Sequence, residues 1–241
     1  MSKMKTFVGL AMIATVLFST SAFAFAAFKK RTASFTVRVE NISAKDGLVA
    51  ADGSRYPFVL SPGFYAVSGS RHLEFLTEGK KAHKGLEAQA EDGDPEMFGK
   101  WVIDMAFGGR YGVFNMPVGA QKAGPLLPGD VYEFTFNGTE GMKFNLITMY
   151  GQSNDLFYAP AKAINLFDQQ GNPLSGDITG EFQLWDAGTE VNEAPGLGAE
   201  QAPRQKMKNS GTSEKGVVGP VKDGFSYPAT GDVLRVTITA K

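Results

Sequence analysis

The chain has 241 residues and no cysteine, with 29 glycines, 12 prolines, 19 phenylalanines and a formal net charge of −1. That balance gives no electrostatic footprint for nucleic acid or an anionic lipid surface. Without disulfides, stability must come from packing or a bound ion. The glycine, proline and phenylalanine counts favour turns between short aromatic-rich strands over long helices.

Residues 1–24 have the form of a secretory signal. Lys3 and Lys5 give a basic start, Phe7 to Phe18 is apolar apart from Gly9 and Thr15, and Ala22-Phe23-Ala24 offers small residues for cleavage. The apolar run ends in Ser19-Thr20-Ser21, short of the roughly 20 residues a spanning helix needs. No later stretch is apolar enough to span, and no cysteine is present to carry a lipid. The expectation is an exported protein with no integral membrane segment in its mature chain, either secreted or held in the periplasm or at the cell surface. Removing Lys3 and Lys5 leaves 22 basic against 25 acidic residues, a net charge of −3. Residues 25–32, with the basic Lys29-Lys30-Arg31, read as a linker, and 33–241 as one domain.

Ser34 to Ile42 alternates, with Phe35, Val37 and Val39 on one side and Thr36, Arg38 and Glu40 on the other, as in a half-buried strand. Asp46-Gly47 and Asp52-Gly53 signal turns. Phe58-Val59-Leu60 and Phe64 to Val67 are two apolar pieces split by Ser61-Pro62-Gly63, which favours a turn or bulge over one long strand. Leu86 to Glu91 reads as a short helical turn closed by Asp92-Gly93. Pro95 to Met105 is the best helix, with Met97, Phe98, Trp101, Val102 and Met105 at helical spacing. Gly108 to Gly129 reads mainly as loop.

Val131 to Phe136 is a strand, and Asn137-Gly138 is a hairpin cue whose loop could extend to Gly141. Met142 to Tyr150 follows as a second strand, with Phe144 and Leu146 on one face. Ala163 to Phe167 and Phe182 to Trp185 are shorter strand candidates. Ala187 to Gly224 lacks periodicity, and so long a loop in a compact domain is functional or mobile. Val233 to Thr239 closes the chain with a strand that fits beside the first one. The fold class expected is all-β: an antiparallel β-sandwich with one or two short helices in its connections.

Two acidic loops carry the chemistry. Ser153-Asn154-Asp155-Leu156-Phe157 and Leu184-Trp185-Asp186-Ala187-Gly188-Thr189-Glu190 each set carboxylates beside aromatics. Asp155, Asp186 and Glu190 supply the hard oxygen ligands that Ca2+ prefers. The Gly188 turn lets Asp186 and Glu190 fold towards one point. The carbonyls of Leu156 and Ala187 could complete a shell, Asn154 and Glu193 are weaker ligand candidates, and Phe157 and Trp185 would wall the site. No cysteine or histidine pair is nearby for zinc or copper. The other reading is ordinary solvated loop acids, since no EF-hand loop is present.

The Trp185-Asp186-Ala187-Gly188-Thr189-Glu190 hexad, preceded by Ser153-Asn154-Asp155-Leu156-Phe157-Tyr158, resembles the spondin N-terminal domain. The Phe35 to Ile42 opening, the Gly85 to Gly93 segment and the Val191 to Gln205 stretch are similar to its bacterial branch. The resemblance spans roughly Phe35 to Thr239. It implies a C2-like β-sandwich that binds calcium at one tip, with Asp155, Asp186 and Glu190 at the positions of the family's carboxylate ligands. Glu190 stands where animal members have Asp, and Asn154 replaces a proline. Animal members also carry disulfides and extra repeats that this chain lacks, so their matrix functions do not transfer.

Two function classes follow. The first is an exported, non-enzymatic, calcium-binding module for binding or adhesion to an extracellular protein or glycan. The second is a secreted hydrolase acting on extracellular polysaccharide or protein through the acidic cluster. Against the second, His72 and His83 have no partner motif and no Gly-x-Ser-x-Gly elbow is present. Asp186 and Glu190 on one short turn also suit one ion better than opposite sides of a sugar ring. Gly108-Gly109 lacks the lysine of a phosphate loop. Asn41-Ile42-Ser43 and Asn137-Gly138-Thr139 match the glycosylation sequon.

Overall fold

The computed structural model describes residues 30–69, 73–104 and 108–241. The stretch expected to be an export signal, residues 1–24, lies outside these residues, as do His72 and Met105. Strand β1 (Thr32–Asn41) opens the described chain, followed by β2 (Leu48–Val49), β3 (Arg55–Tyr56) and β4 (Leu60–Ser68). Helices α1 (Lys84–Asp92) and α2 (Pro95–Asp104) precede β5 (Arg110–Phe114), β6 (Val131–Thr139), β7 (Lys143–Tyr150), β8 (Leu156–Pro160) and β9 (Ile164–Asn165). After β10 (Gly176–Asp177), a 3-10 turn (Thr179–Glu181) leads into β11 (Phe182–Asp186). Then come β12 (Gly219–Pro220), the one-turn α3 (Thr230–Val233) and β13 (Leu234–Ala240).

Two antiparallel sheets face each other. One runs β10-β13-β1-β6; the other runs β12-β11-β8-β7-β4-β5, with β9 beside β7. The first and last strands are neighbours, as their matching alternation predicts, with Val37 opposite Ile238 and Val39 opposite Val236. Phe35, Val37 and Val39 are fully buried against Leu60, Phe144, Leu146 and Tyr158 of the opposing sheet. Phe136 stacks between Phe35 and Phe144, at ring separations of 5.5 and 5.3 Å. The fold is an all-β sandwich.

The second sheet is buried on its other face too. Ile147, Phe157, Ala159 and Trp185 pack under Leu86 and Ala90 of α1 and Phe98 and Val102 of α2. This helical cover is why β7 is buried along seven of its eight residues and does not alternate. Helix α1 starts on His83, whose Nδ1 accepts from Leu86 N at 3.1 Å, and stops at Gly93 in the left-handed region. His83 Nε2 faces the Phe75 carbonyl at 3.2 Å, and burial lowers its pKa to about 4. It is a structural cap.

Two sequence expectations are corrected, at Asn137-Gly138 and at Leu156-Phe157, and two are given finer detail. Ser61-Pro62-Gly63 forms the bulge and not the turn of the two expected alternatives: β4 runs on through it with a register shift between Leu60 and Gly63. Asn137-Gly138 is not a hairpin turn: both residues lie within β6, opposite Ser34 and Ala33. A Cβ on Gly138 would stand 2.5 Å from Leu166 Cδ1 and 3.0 Å from the Phe35 ring, so packing selects that glycine. The turn falls later, where Gly141 takes φ of 89°, and it carries the chain from one sheet to the other. Gly108 to Gly129 contains β5, an edge strand whose Gly112 lies against the Tyr65 ring. Leu156 and Phe157 belong to a strand and not to the acidic loop before it. The Asn41 sequon is buried, with Nδ2 donating to the carbonyls of Phe58 at 2.9 Å and Leu126 at 3.1 Å.

Candidate metal centre

The antiparallel pairing of β8 with β11 puts Leu156 opposite Asp186 and Phe157 opposite Trp185. The loop entering β8 and the loop leaving β11 therefore emerge at the same sheet end. Trp185 anchors this end: its ring is buried under the helices and Nε1 donates to Ala159 O at 3.0 Å. Ala187 N donates to Asp155 O at 3.2 Å, extending the contact one step beyond the strands.

Asp155 lies at the centre with no solvent exposure. Its Oδ2 accepts three hydrogen bonds from the other loop: Thr189 N at 2.7 Å, Thr189 Oγ1 at 3.1 Å and Glu190 N at 3.1 Å. Its Oδ1 has no partner. Burial pushes the Asp155 carboxyl up to about 7; Asp186 nearby raises it further, while the three donated bonds pull it down.

Asp186 closes an Asx turn, with Oδ1 accepting from Gly188 N at 2.7 Å and Oδ2 from Asn192 Nδ2 at 2.8 Å. Gly188 takes φ of 67°, and a Cβ there would come 2.5 Å from Val217 N. Glu190 is buried, and its Oε1 accepts from Gly211 N at 2.9 Å. Burial raises the carboxyls of both Asp186 and Glu190.

Asn154 and Glu193 form a reciprocal clasp. Asn154 Nδ2 donates to Glu193 Oε2 at 3.1 Å, and Glu193 N donates to Asn154 Oδ1 at 3.0 Å. Glu193 also accepts from Ala199 N and Glu200 N, at 3.2 and 3.0 Å, so it staples its own loop. Leu156 N is held by Ser153 Oγ at 3.0 Å, with the Leu156 side chain in the core between the sheets.

Sequence reasoning missed one acid. Glu91, in the last turn of α1, is 3 % exposed, and its Oε2 is buried with no partner. The Thr189 hydroxyl that bonds Asp155 also faces the Glu91 carboxyl and favours its charged form. Burial and the charge of Glu190 act the other way, and the group is pushed up to about 8. The available signal was an acidic Glu91-Asp92 pair ending a helix that has no basic residue in its last turn.

The structure thus brings Asp155, Glu190 and the Asp186 turn to one end of the sandwich through direct hydrogen bonds. Asp186 and Glu190 lean on neighbours of their own, and among the described residues no three histidine or acidic side chains already form a metal cage. The ion pairs among these residues lie elsewhere, between Arg38 and Glu40, Arg38 and Glu133, Arg235 and Glu40, and Lys208 and Asp94. The donor set is all oxygen, which suits a hard cation. The buried, unpartnered Oδ1 of Asp155 is an oxygen such a cation could take up.

A scan against models of known protein families gives no match to this chain, and a search of curated proteins gives none either.

Proposed function

We propose that the protein is an exported, non-enzymatic β-sandwich module that holds Ca2+ between the Asp155 loop and the Asp186–Glu190 turn, and that it binds an extracellular protein or glycan. The observation that carries this reading is the Asp155 carboxylate. It is fully buried, it shares its environment with Asp186, and one oxygen has no partner. A carboxyl group in such a place takes up a cation or keeps its proton, because burying the charged form without a counterion costs several kcal/mol. Asp155 Oδ1 would be the innermost ligand, with Glu190 and Asp186 contributing from the turn. Carbonyls of the two loops and water would fill the 6–8 oxygen positions calcium takes.

The ion would fasten two loops that have no disulfide to join them. Its contribution is stability and loop order, and the similarity of the hexad to spondin N-terminal domains and their C2-like sandwich points the same way. Atomic emission on the purified chain after dialysis against micromolar calcium tests the reading. One calcium per chain, lost in Asp155→Asn, supports it; a wild-type chain free of calcium contradicts it.

A further inference from the structure

We propose that Glu91, at the C-terminal end of α1, is a fourth carboxylate of the cation site. The inference rests on the calcium reading above and deepens it by extending the site from the two sandwich loops to the helical layer.

Three observations converge on Glu91. Its Oε2 is buried and unpartnered, as is Oδ1 of Asp155, and Glu91 lies beside the Thr189 hydroxyl that donates to Oδ2 of Asp155. The charged neighbours that act on it most strongly are acidic: Glu190, Glu87 and Asp92. It also occupies the last turn of a helix, where the backbone dipole is negative and cations are the favoured partners. Negative charge and a negative helix end thus meet beside Thr189, and each of the two carboxyls next to that threonine keeps one buried oxygen without a partner. A hard divalent cation at this place would satisfy all of them, with one carboxylate each from α1 and the β8 loop and the Glu190 turn alongside.

A consequence extends into the long segment after β11. Its part nearest α1 is fastened to the same helix end. Gln205 Nε2 and Asn209 N donate to Asp92 Oδ1 at 3.0 and 3.1 Å, Lys208 pairs with Asp94, and Gly211 N reaches Glu190. A cation gripped by Glu91 would fix the helix end on which this strap is moored. Arg204, Lys206 and Lys208 are exposed in it and open to trypsin.

The test is calcium titration calorimetry on the metal-free full chain, comparing wild type, Glu91→Gln, Glu91→Asp and the exposed control Glu96→Gln, with trypsin digestion alongside. The expected result is a calcium affinity at least tenfold weaker for Glu91→Gln, weaker also for the shortened Glu91→Asp, and unchanged for Glu96→Gln. Calcium should slow cleavage at Lys206 and Lys208 in wild type and much less in Glu91→Gln. Folding of each variant is checked by its circular dichroism, and Glu91→Asp keeps the test open if Glu91→Gln fails it. Wild-type calcium affinity in Glu91→Gln overturns the proposal while leaving calcium at Asp155 intact. A wild-type chain that binds no calcium overturns both.

Discussion

Thr189 holds Asp155 from two sides: its backbone N–H donates to Oδ2 at 2.7 Å and its hydroxyl donates to the same oxygen at 3.1 Å. The other carboxylate oxygen is left bare in the interior. One threonine therefore fixes the orientation of the central acid and decides which of its oxygens is free. Thr189→Val keeps the backbone bond and the side-chain volume but removes the hydroxyl. The loss expected is about 1 kcal/mol, the usual net value of one hydrogen bond, read as a lower midpoint in urea unfolding with an unchanged slope. An unaltered midpoint would mean that the hydroxyl bond has no net value.

Gly211 is placed by Glu190. A Cβ at position 211 would stand 2.0 Å from Glu190 Oε2 and 2.2 Å from its Cδ. The buried carboxylate and an added methyl cannot share that space. Gly211→Ala should displace Glu190, lower stability by about 1–3 kcal/mol as overpacked sites do, and weaken calcium binding. Gly180→Ala, at a position with open space around it, is the control. Equal melting temperatures for the two variants would contradict the placement of Glu190.

The fold was legible where a side chain meets one surface only. Phe35, Val37 and Val39 show their strand because one face of β1 is covered and the other is wet. Strand β7 hides its period because helices cover its second face, and β8 has no alternation to show because Leu156 to Pro160 is buried throughout. Asn137-Gly138 has the composition of a turn, yet Gly138 answers to Leu166 and Phe35, residues distant in the chain or across the sheet. Such selection cannot be read locally. Gly138→Ala should cost about 1–3 kcal/mol, measurable by chemical unfolding, whereas a mere turn glycine at negative φ would tolerate alanine.

The site divides in the same way. The Trp185 to Glu190 hexad and Asp155 stand out because carboxylates and aromatics cluster within a few residues. Glu91 does not, because it is an ordinary helical acid until α1 is laid over β7 and β8. Only then does the chain bring it to Thr189, nearly a hundred positions later.

The raised carboxyls set a pH dependence whose sign is fixed. Asp155 and Glu91 release protons near 3.8 and 4.5 in an unfolded chain but near about 7 and about 8 in the fold. Between those limits the folded chain holds more protons, so the stability of the metal-free protein falls as pH rises from about 5 to about 8. The lowered carboxyls of Glu40 and Asp94 act in the opposite sense at pH below their ordinary values. His83, lowered from 6.5 to about 4 by burial, also acts in the opposite sense up to its ordinary value, so it offsets part of the decline at the acid end. Thermal unfolding in chelator should give a melting temperature that declines from pH 5.5 to pH 8. A flat or rising profile would mean that these acids ionise freely in the fold.

Calcium and protons compete for the same oxygens at this site, and that competition gives the most direct test. The measurement is the melting temperature of wild type and Asp155→Asn at pH 8, each with chelator and with millimolar calcium. The expected result is a rise of several degrees on adding calcium to wild type, a much smaller rise at pH 5.5, and none for Asp155→Asn. The same melting temperature for wild type with chelator and with calcium at pH 8 would contradict calcium binding at Asp155.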